Sequence, residues 1–258
     1  MNEENKSGQT AEKQQLLSSL RNAERLYVFM SMCTKMPYVI CDEETFDDEV
    51  LLYYTEEDAQ REGKKLIEQR IPVQIAKLEK EQLLGFFASL YPMGINGLLI
   101  DQNMDSEARV ELQELVKRPD TENLPEGKIW VENPQLHLTA LYFMQEMRRQ
   151  ETTELTEELR ELQEEILVNY GRGKFIVAVH EQNGMPLLKQ KNGDAYQPIF
   201  TDILEFRKFN KEAQFRSMAI DAKNIPKMLM KESKGVVINP FGVNVQLPIV
   251  RPEEPETK

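Results

Sequence analysis

The sequence predicts a mixed α+β protein built from two repeated units, each a mixed β-sheet with two packed helices, and extra helices between the units. Three observations lead to this expectation. The chain has 258 residues, which exceeds a typical single domain and accommodates two of ordinary size. Short apolar segments typical of strands alternate with longer charged segments typical of helices. The same segments also recur, in the same order, in the two halves of the chain.

The first recurring segment is an apolar strand followed by a Met-Pro step. R-L-Y-V-F-M-S-M begins at Arg25 and precedes the pair at Met36. K-F-I-V-A-V-H begins at Lys174 and precedes the pair at Met185. The turn chemistry of Asn183-Gly184 and Asn192-Gly193-Asp194 predicts hairpins in the second copy, because Asn and Gly tolerate positive φ.

The second recurring segment is a strand that ends on an aromatic residue and a threonine. It reads L-L-Y-Y-T up to Thr55 and P-I-F-T up to Thr201. A threonine in this position can cap a helix, since its hydroxyl accepts a hydrogen bond from a free amide of the first turn. We therefore predict helices over Glu56–Gln69 and Asp202–Gln214, with Thr55 and Thr201 as their caps.

The last segments of each copy are a strand, a helix and an apolar strand that begins with glycine. They are predicted over Pro72–Ala76, Glu79–Leu90 and Gly97–Asp101 in the first copy, and over Ser217–Ile220, Ile225–Lys231 and Gly235–Asn239 in the second. Because the ordered set recurs, the sequence predicts an internal duplication.

The domain boundaries that follow are 20–102 for the first unit, 103–169 for an inserted connecting segment and 170–250 for the second unit. Residues 1–14 and 251–258 are expected to be disordered because they are polar and charged. In the inserted segment we predict helices over Asp105–Val116, from Asn133-Pro134 onward and over Thr153–Asn169, with a short strand at Lys128–Glu132. The apolar stripe from Leu155 to Ile166 has two interpretations, packing on the core or forming a dimer helix.

The net charge limits the classes of partner. It is −12 at pH 7, with 44 acidic and 32 basic side chains, so nucleic acid and anionic membranes are disfavoured. Two cysteines do not make a disulfide framework. The stretch from Met1 to Gln14 lacks the apolar core of a secretory signal, and no apolar run reaches membrane-spanning length, so a cytoplasmic location is expected.

The residues that carry chemistry are sparse, and the sequence predicts no catalytic, cofactor-binding or metal site. Its two histidines, His137 and His180, are far apart and lack nearby ligand-spaced partners. Cys33 and Cys41 lack the C-x-x-C spacing of redox sites. No phosphate-binding loop or G-x-S-x-G motif is present. We therefore expect a non-enzymatic protein.

The candidate interaction loop is Asn239-Pro240-Phe241-Gly242, a predicted tight turn between two apolar strands. In the structural interpretation Asn239 hydrogen-bonds within its own turn. In the functional interpretation Phe241 is exposed at the loop tip and anchors a partner.

These segments together resemble the N-terminal domain of the SseB family, named after a bacterial protein linked to enhanced serine sensitivity. The resemblance is carried by P-I-F-T-D-I-L-E-F at Pro198–Phe206 and G-V-V-I-N-P-F-G at Gly235–Gly242, and more faintly by the first copy, where Asp101-Gln102 replaces Asn239-Pro240. The family implies no catalytic residues. Two hypotheses follow: a module that binds a protein or peptide, with homodimerisation as an option, or a sensor that binds a small molecule such as an amino acid between the two units.

Overall fold

The computed structural model describes residues 3–118, 124–125, 129–150 and 155–251, with side chains from residue 11 onward. The described chain forms two compact units. The first comprises Met1–Met32, Pro37–Tyr91 and Ile95–Pro119. The second comprises Cys33–Met36, Pro92–Gly94 and Asp120–Lys258.

The first unit contains six strands and four helices. In chain order these are α1 Glu3–Arg21, β1 Arg25–Ser31, β2 Val39–Cys41, β3 Asp48–Tyr53, α2 Glu56–Glu68, β4 Val73–Glu79, α3 Lys80–Leu90, β5 Gly97–Ile100, β6 Ala108–Glu111 and α4 Leu112–Leu115. The sheet order is β4-β1-β3-β5-β6, with β2 paired to β3. Only β3 and β5 run parallel, because the chain between them crosses over through α2, β4 and α3.

The second unit repeats the strand arrangement and also has four helices, two of which precede its first strand. Its elements are α5 Pro134–Arg149, α6 Glu157–Arg172, β7 Lys174–Val179, β8 Leu188–Lys189, β9 Ala195–Phe200, α7 Ile203–Phe209, β10 Arg216–Asp221, α8 Ile225–Met228, β11 Ser233–Ile238 and β12 Val245–Pro248. The sheet order is β10-β7-β9-β11-β12, with β8 paired to β9. Its single parallel pair is β9 and β11.

The two sheets therefore share one strand order and one pattern of parallel and antiparallel pairs. The predicted α+β fold with two repeated sheet units is confirmed. The core of each unit lies where a helix packs on its sheet: Phe29 and Tyr53 contact Ala59 of α2 in the first unit, and Phe200 contacts Phe206 of α7 in the second.

The predicted helix over Asp105–Val116 is wrong except at Leu112–Leu115, which forms α4, and Ala108–Glu111 forms β6. Val110 is buried while Arg109 and Glu111 are exposed, which is the alternation of an edge strand. The strand predicted at Lys128–Glu132 is also absent from its described residues, Ile129–Glu132. There Val131 packs singly into the core of the second unit.

Helix bounds differ from the predictions at both ends of the chain. The segment expected to be disordered, 1–14, is helical from Glu3 onward, because α1 continues to the fully buried Leu20 and Lys13 pairs with Glu114 at 2.7 Å. Of the other expected disordered segment, 251–258, all but Arg251 lies outside the described residues.

The helices predicted over Asp202–Gln214 and Ile225–Lys231 end earlier, at Phe209 and Met228.

The apolar stripe of α6 serves core packing. Leu159 and Ile166 are 2% and 1% exposed, and α6 packs against α5. This helix begins after Thr156, whose side chain accepts a hydrogen bond from Leu159 N, and it is followed by Gly173.

Candidate functional site

The turn predicted at Asn239–Gly242 is present at the end of β11. Asn239 has a φ of +46°, and its carbonyl accepts hydrogen bonds from the amides of Gly242 at 2.8 Å and Asn244 at 3.0 Å. These two bonds fold the chain back into β12. A Cβ atom at Gly242 would lie 2.8 Å from Glu205 Oε2, so a larger residue there would force this buried carboxylate to shift.

The side chain of Asn239 bonds to the end of the neighbouring strand, and the predicted bond within its own turn is not what holds it. Its Oδ1 accepts from Thr201 N at 3.0 Å, and its Nδ2 donates to Thr201 Oγ1 at 2.8 Å. Asn239 is fully buried. The asparagine thus ties the turn to β9 and fixes the place where Phe241 emerges.

Thr201 is not the helix cap that the sequence predicts. Asp202 caps α7, since its Oδ1 accepts from Leu204 N at 2.8 Å and Glu205 N at 3.0 Å. In the first unit Thr55 does cap α2, accepting from Asp58 N at 3.1 Å. The equivalent of Thr201 is therefore Tyr54, so the predicted pairing of the two threonines was one residue out of register.

His137 lies buried beside this network. Its Nδ1 is 3.3 Å from Thr201 Oγ1 and 3.5 Å from Asp202 Oδ2. Its Nε2 is buried and has no hydrogen-bond partner among the described residues. The hydroxyl and the carboxylate both lie beside one ring nitrogen, and the ring is 1% exposed. These contacts hold α5 against the sheet.

Asp202 is the charged member of the network. Burial acts to raise its pKa, but the hydrogen bond and charge of His137 and the bonds from Thr201 and Glu205 N outweigh burial, so the pKa lies below its ordinary value. A carboxylate with this many donors is held ionised.

A cavity of about 540 Å³ lies next to the turn, within the second unit. We call it the basic aromatic pocket. Its lining consists of three phenylalanines, three lysines and three other polar residues: Phe209, Phe215, Phe241, Lys35, Lys208, Lys211, Asn210, Glu212 and Gln214.

The aromatic wall of the pocket continues the core to the surface. The ring of Phe200, which is fully buried, is 5.3 Å from that of Phe209. Phe209 in turn contacts Phe215 at 5.3 Å and Phe241 at 6.0 Å between centroids. Phe241 is 59% exposed. The loop residue predicted as an anchor is thus the outermost member of a rigid aromatic row.

The positive charge of the pocket contrasts with the net charge of −12. Lys208 pairs with the buried Glu205. Neither Lys35 nor Lys211 forms an ion pair within the described part of the chain. The pocket therefore presents two cations left unpaired by the described residues, Lys35 and Lys211, and one carboxylate, Glu212, around an apolar wall.

The lysines and phenylalanines of α7 and of the loop after it were not predicted to form a binding site. The signal was present in F-R-K-F-N-K-E-A-Q-F at Phe206–Phe215, where aromatic and basic residues alternate. The bend that brings Phe215 back to Phe209 arises because Asn210 bonds both the amide and the carbonyl of Phe215, at 3.0 Å and 2.7 Å.

The second histidine and the two cysteines lie outside the basic aromatic pocket. His180 Nδ1 accepts from the amides of Gln182 and Asn183 in its own turn. Cys33 and Cys41 are free thiols, and burial together with nearby carboxylates, Asp48 foremost, raises the pKa of Cys41. Across the described residues, no cluster of His, Cys, Asp and Glu could hold a metal ion, and no helix could span a bilayer.

Comparison with known proteins gives only distant similarities. No family model matches the chain, and no curated protein matches it. Among solved structures, Tic22 from Plasmodium falciparum is 14% identical with a TM-score of 0.22, covering 86% of this chain and 90% of that one. Anabaena Tic22 (protein transport) is 11% identical with a TM-score of 0.24, covering 82% and 83%. At these values neither supports an inference about this protein.

Proposed function

We propose that this chain is a non-enzymatic interaction protein whose basic aromatic pocket binds an acidic segment of a partner protein through a large apolar side chain. The observation that carries the proposal is the row of phenylalanines that runs from the core to the exposed Phe241 and is bordered by lysines in an acidic protein. The proposal agrees with the resemblance to the SseB family, which implies no catalytic residues.

The pocket suits an apolar anchor for energetic reasons. Burying one phenylalanine-sized side chain is worth about 2 kcal/mol, and the site is large enough to take one with part of its backbone. The rings of Phe209 and Phe215 are already packed, so binding orders few side chains and costs little entropy. Aromatic residues in such positions often dominate binding energy.

The lysines select the partner's charge. Lys35 and Lys211 attract carboxylates and repel basic segments, which contributes to association rate and specificity more than to raw affinity. Exposed charges of this kind are screened by salt. Binding should therefore weaken as ionic strength rises.

A displayed random dodecapeptide library, selected on the wild-type protein at low salt, tests the proposal. We expect enrichment of sequences in which Phe, Trp, Tyr or Leu is flanked by Asp and Glu. Synthetic versions of the enriched peptides should bind Phe241→Ala at least about 10-fold more weakly and Lys211→Glu several-fold more weakly, by fluorescence anisotropy.

Matched controls are Val250→Ala and Lys191→Glu, which change an exposed apolar side chain and an exposed lysine outside the pocket lining. Both should bind the peptides as wild type does. Selection that enriches no acidic-aromatic pattern, or peptides that bind Phe241→Ala and wild type equally, would overturn the proposal.

A further inference from the structure

A second exposed aromatic residue lies in an acidic loop of the first unit. This acidic loop, Asp42–Asp48, joins β2 to β3 and reads D-E-E-T-F-D-D. Phe46 is 77% exposed and has a φ of +59°, a conformation that is costly for a bulky residue. A large apolar side chain is thus displayed to solvent among five carboxylates.

The acidic loop is held in shape by its own hydrogen bonds. Asp42 Oδ1 accepts from the amides of Glu44 at 3.0 Å and Thr45 at 2.8 Å, and Asp42 O accepts from Phe46 N at 2.9 Å. At the far end, Asn96 Nδ2 donates to Asp47 Oδ1 at 2.6 Å. Because the loop is fixed before any contact, presenting Phe46 to a partner requires little ordering.

We propose that the acidic loop of one copy of this chain binds the basic aromatic pocket of a second copy, with Phe46 entering beside Phe241. This inference rests on the proposed function and names its partner. The loop has the two properties that the pocket selects, an apolar side chain at its tip and flanking carboxylates at Glu43, Glu44 and Asp47.

The arrangement favours a second copy because each copy carries one loop and one pocket. In the second unit the corresponding hairpin is the short turn at Asn192-Gly193. In the first unit a hydrogen bond between Asn103 and Glu62 stands where the second unit has the contact between Phe241 and Phe209. One loop binding one pocket is a heterologous, head-to-tail contact, which generates rings or open chains of subunits.

A mixing experiment by sedimentation velocity tests the inference with the full chain. Wild type should associate as concentration rises, and Phe46→Ala and Phe241→Ala should each remain monomeric over the same range. An equimolar mixture of the two variants should form a dimer and nothing larger, because one variant supplies the only intact pocket and the other the only intact loop.

The control mixes either variant with the double variant Phe46→Ala/Phe241→Ala. In each such mixture no intact loop meets an intact pocket, and no dimer should form.

A charge exchange checks the result without removing either aromatic side chain. Glu44→Lys and Lys211→Glu should each weaken self-association several-fold, and the double variant Glu44→Lys/Lys211→Glu, in which every contact carries the exchanged charges, should regain part of it. Val250→Ala is the control that keeps both surfaces. Circular dichroism on every variant confirms folding.

The outcomes separate this inference from the proposed function. If selected peptides bind the pocket but wild type stays monomeric and a synthetic Cys41–Glu49 peptide does not bind, the second-copy inference is wrong and the proposed function stands. If that peptide binds wild type and Phe241→Ala alike, the second-copy inference is wrong, and the proposed function also fails only when the selected peptides bind the two proteins alike. Dimers that persist in the Phe46→Ala/Phe241→Ala variant would likewise exclude this contact.

Discussion

The two units have the same strand order but opposite chemistry at one corresponding place. Two residues beyond Asn239, Phe241 contacts Phe209 at 6.0 Å between ring centroids. Two residues beyond Asp101, Asn103 Nδ2 donates to Glu62 Oε2 at 3.0 Å. Glu62 and Phe209 each stand seven residues after the N-cap of the corresponding helix, α2 in the first unit and α7 in the second. An aromatic contact in one unit is thus a polar contact in the other.

This difference separates the residues that maintain the fold of both units from the residues that vary between them. In both units the residue after the central parallel strand has positive φ and bonds the chain at the end of its neighbour: Asp101 Oδ1 accepts from Tyr54 N, and Asn239 Oδ1 accepts from Thr201 N. The side chains farther along differ because they face solvent. In the first unit Glu62 forms a salt bridge with Lys65 at 2.8 Å and accepts a hydrogen bond from Asn103. Polar groups therefore occupy the position where the second unit has its aromatic contact.

The largest expected effect distinguishes Gly97, the first residue of β5, from Gly235, the third residue of β11. Gly235 has a φ of +152°, and a Cβ there would lie 2.1 Å from Leu247 O. At Gly97 the Cβ would lie 2.9 Å from Cγ of the buried Glu49, which is a side-chain atom and not a backbone atom, and the backbone there does not have a positive φ. Gly235→Ala should therefore cost about 4 kcal/mol or more and Gly97→Ala less, about 2 kcal/mol.

Urea unfolding followed by circular dichroism measures both losses, and hydrogen exchange locates them. Protection should fall across β11 and β12 in Gly235→Ala and stay in β1 and β3. Equal losses in the two variants would show that the repeated glycines are under the same constraint.

The second prediction exchanges the two residues that follow the parallel strands. Asn239→Asp places a carboxylate at a fully buried position and removes the donor to Thr201 Oγ1, so it should cost about 3 kcal/mol. Asp101→Asn keeps an oxygen for Tyr54 N and faces the hydroxyl of Ser106, which lies 2.8 Å from Asp101 Oδ2 and can accept as well as donate. It should cost about 1 kcal/mol or less. Thermal and urea unfolding of the pair check this, and comparable destabilisation would contradict the assigned hydrogen bonds.

The repeated frame was predictable because it depends on local patterns. Apolar strands, the glycine before the apolar run of β11 and the Asn-Pro step before Phe241 all constrain the backbone within a few residues, so their positions follow from sequence. The strand β6 was not predictable in the same way, since A-R-V-E has one buried apolar residue and is set by pairing with β5. Whether the chain binds a small molecule such as an amino acid stays a prediction.

The candidate site was predictable only at its loop. Phe241 stood out because its turn is unusual, whereas Phe209 and Phe215 become one wall only after Asn210 folds the chain between them. The acidic loop likewise lacks a periodic pattern. Its significance depends on the exposure of Phe46, which no local rule fixes. Thr201 was wrongly predicted as a cap because a threonine follows the aromatic residue of the strand in both copies. In the second copy the cap is the next residue, Asp202.

The smallest effect concerns the two helix caps, a neutral Thr55 and a charged Asp202. Because the pKa of Asp202 is lowered in the folded protein, the unfolded chain binds the proton more readily, so the carboxylate contributes stability above its ordinary value of 3.8. That stability is lost as pH falls through the lower, folded value. Asp202→Asn keeps an oxygen for the amides of Leu204 and Glu205, so it should lose less at pH 7 than Asn239→Asp, and its free energy of unfolding should fall less steeply than that of wild type below about pH 4. Thr55→Ser, which keeps a neutral cap, should leave the acid slope of wild type unchanged. Urea unfolding at a series of pH values measures these slopes. Identical slopes for wild type and Asp202→Asn would mean that the buried network of His137, Thr201 and Asp202 does not distinguish the second unit from the first in its response to acid.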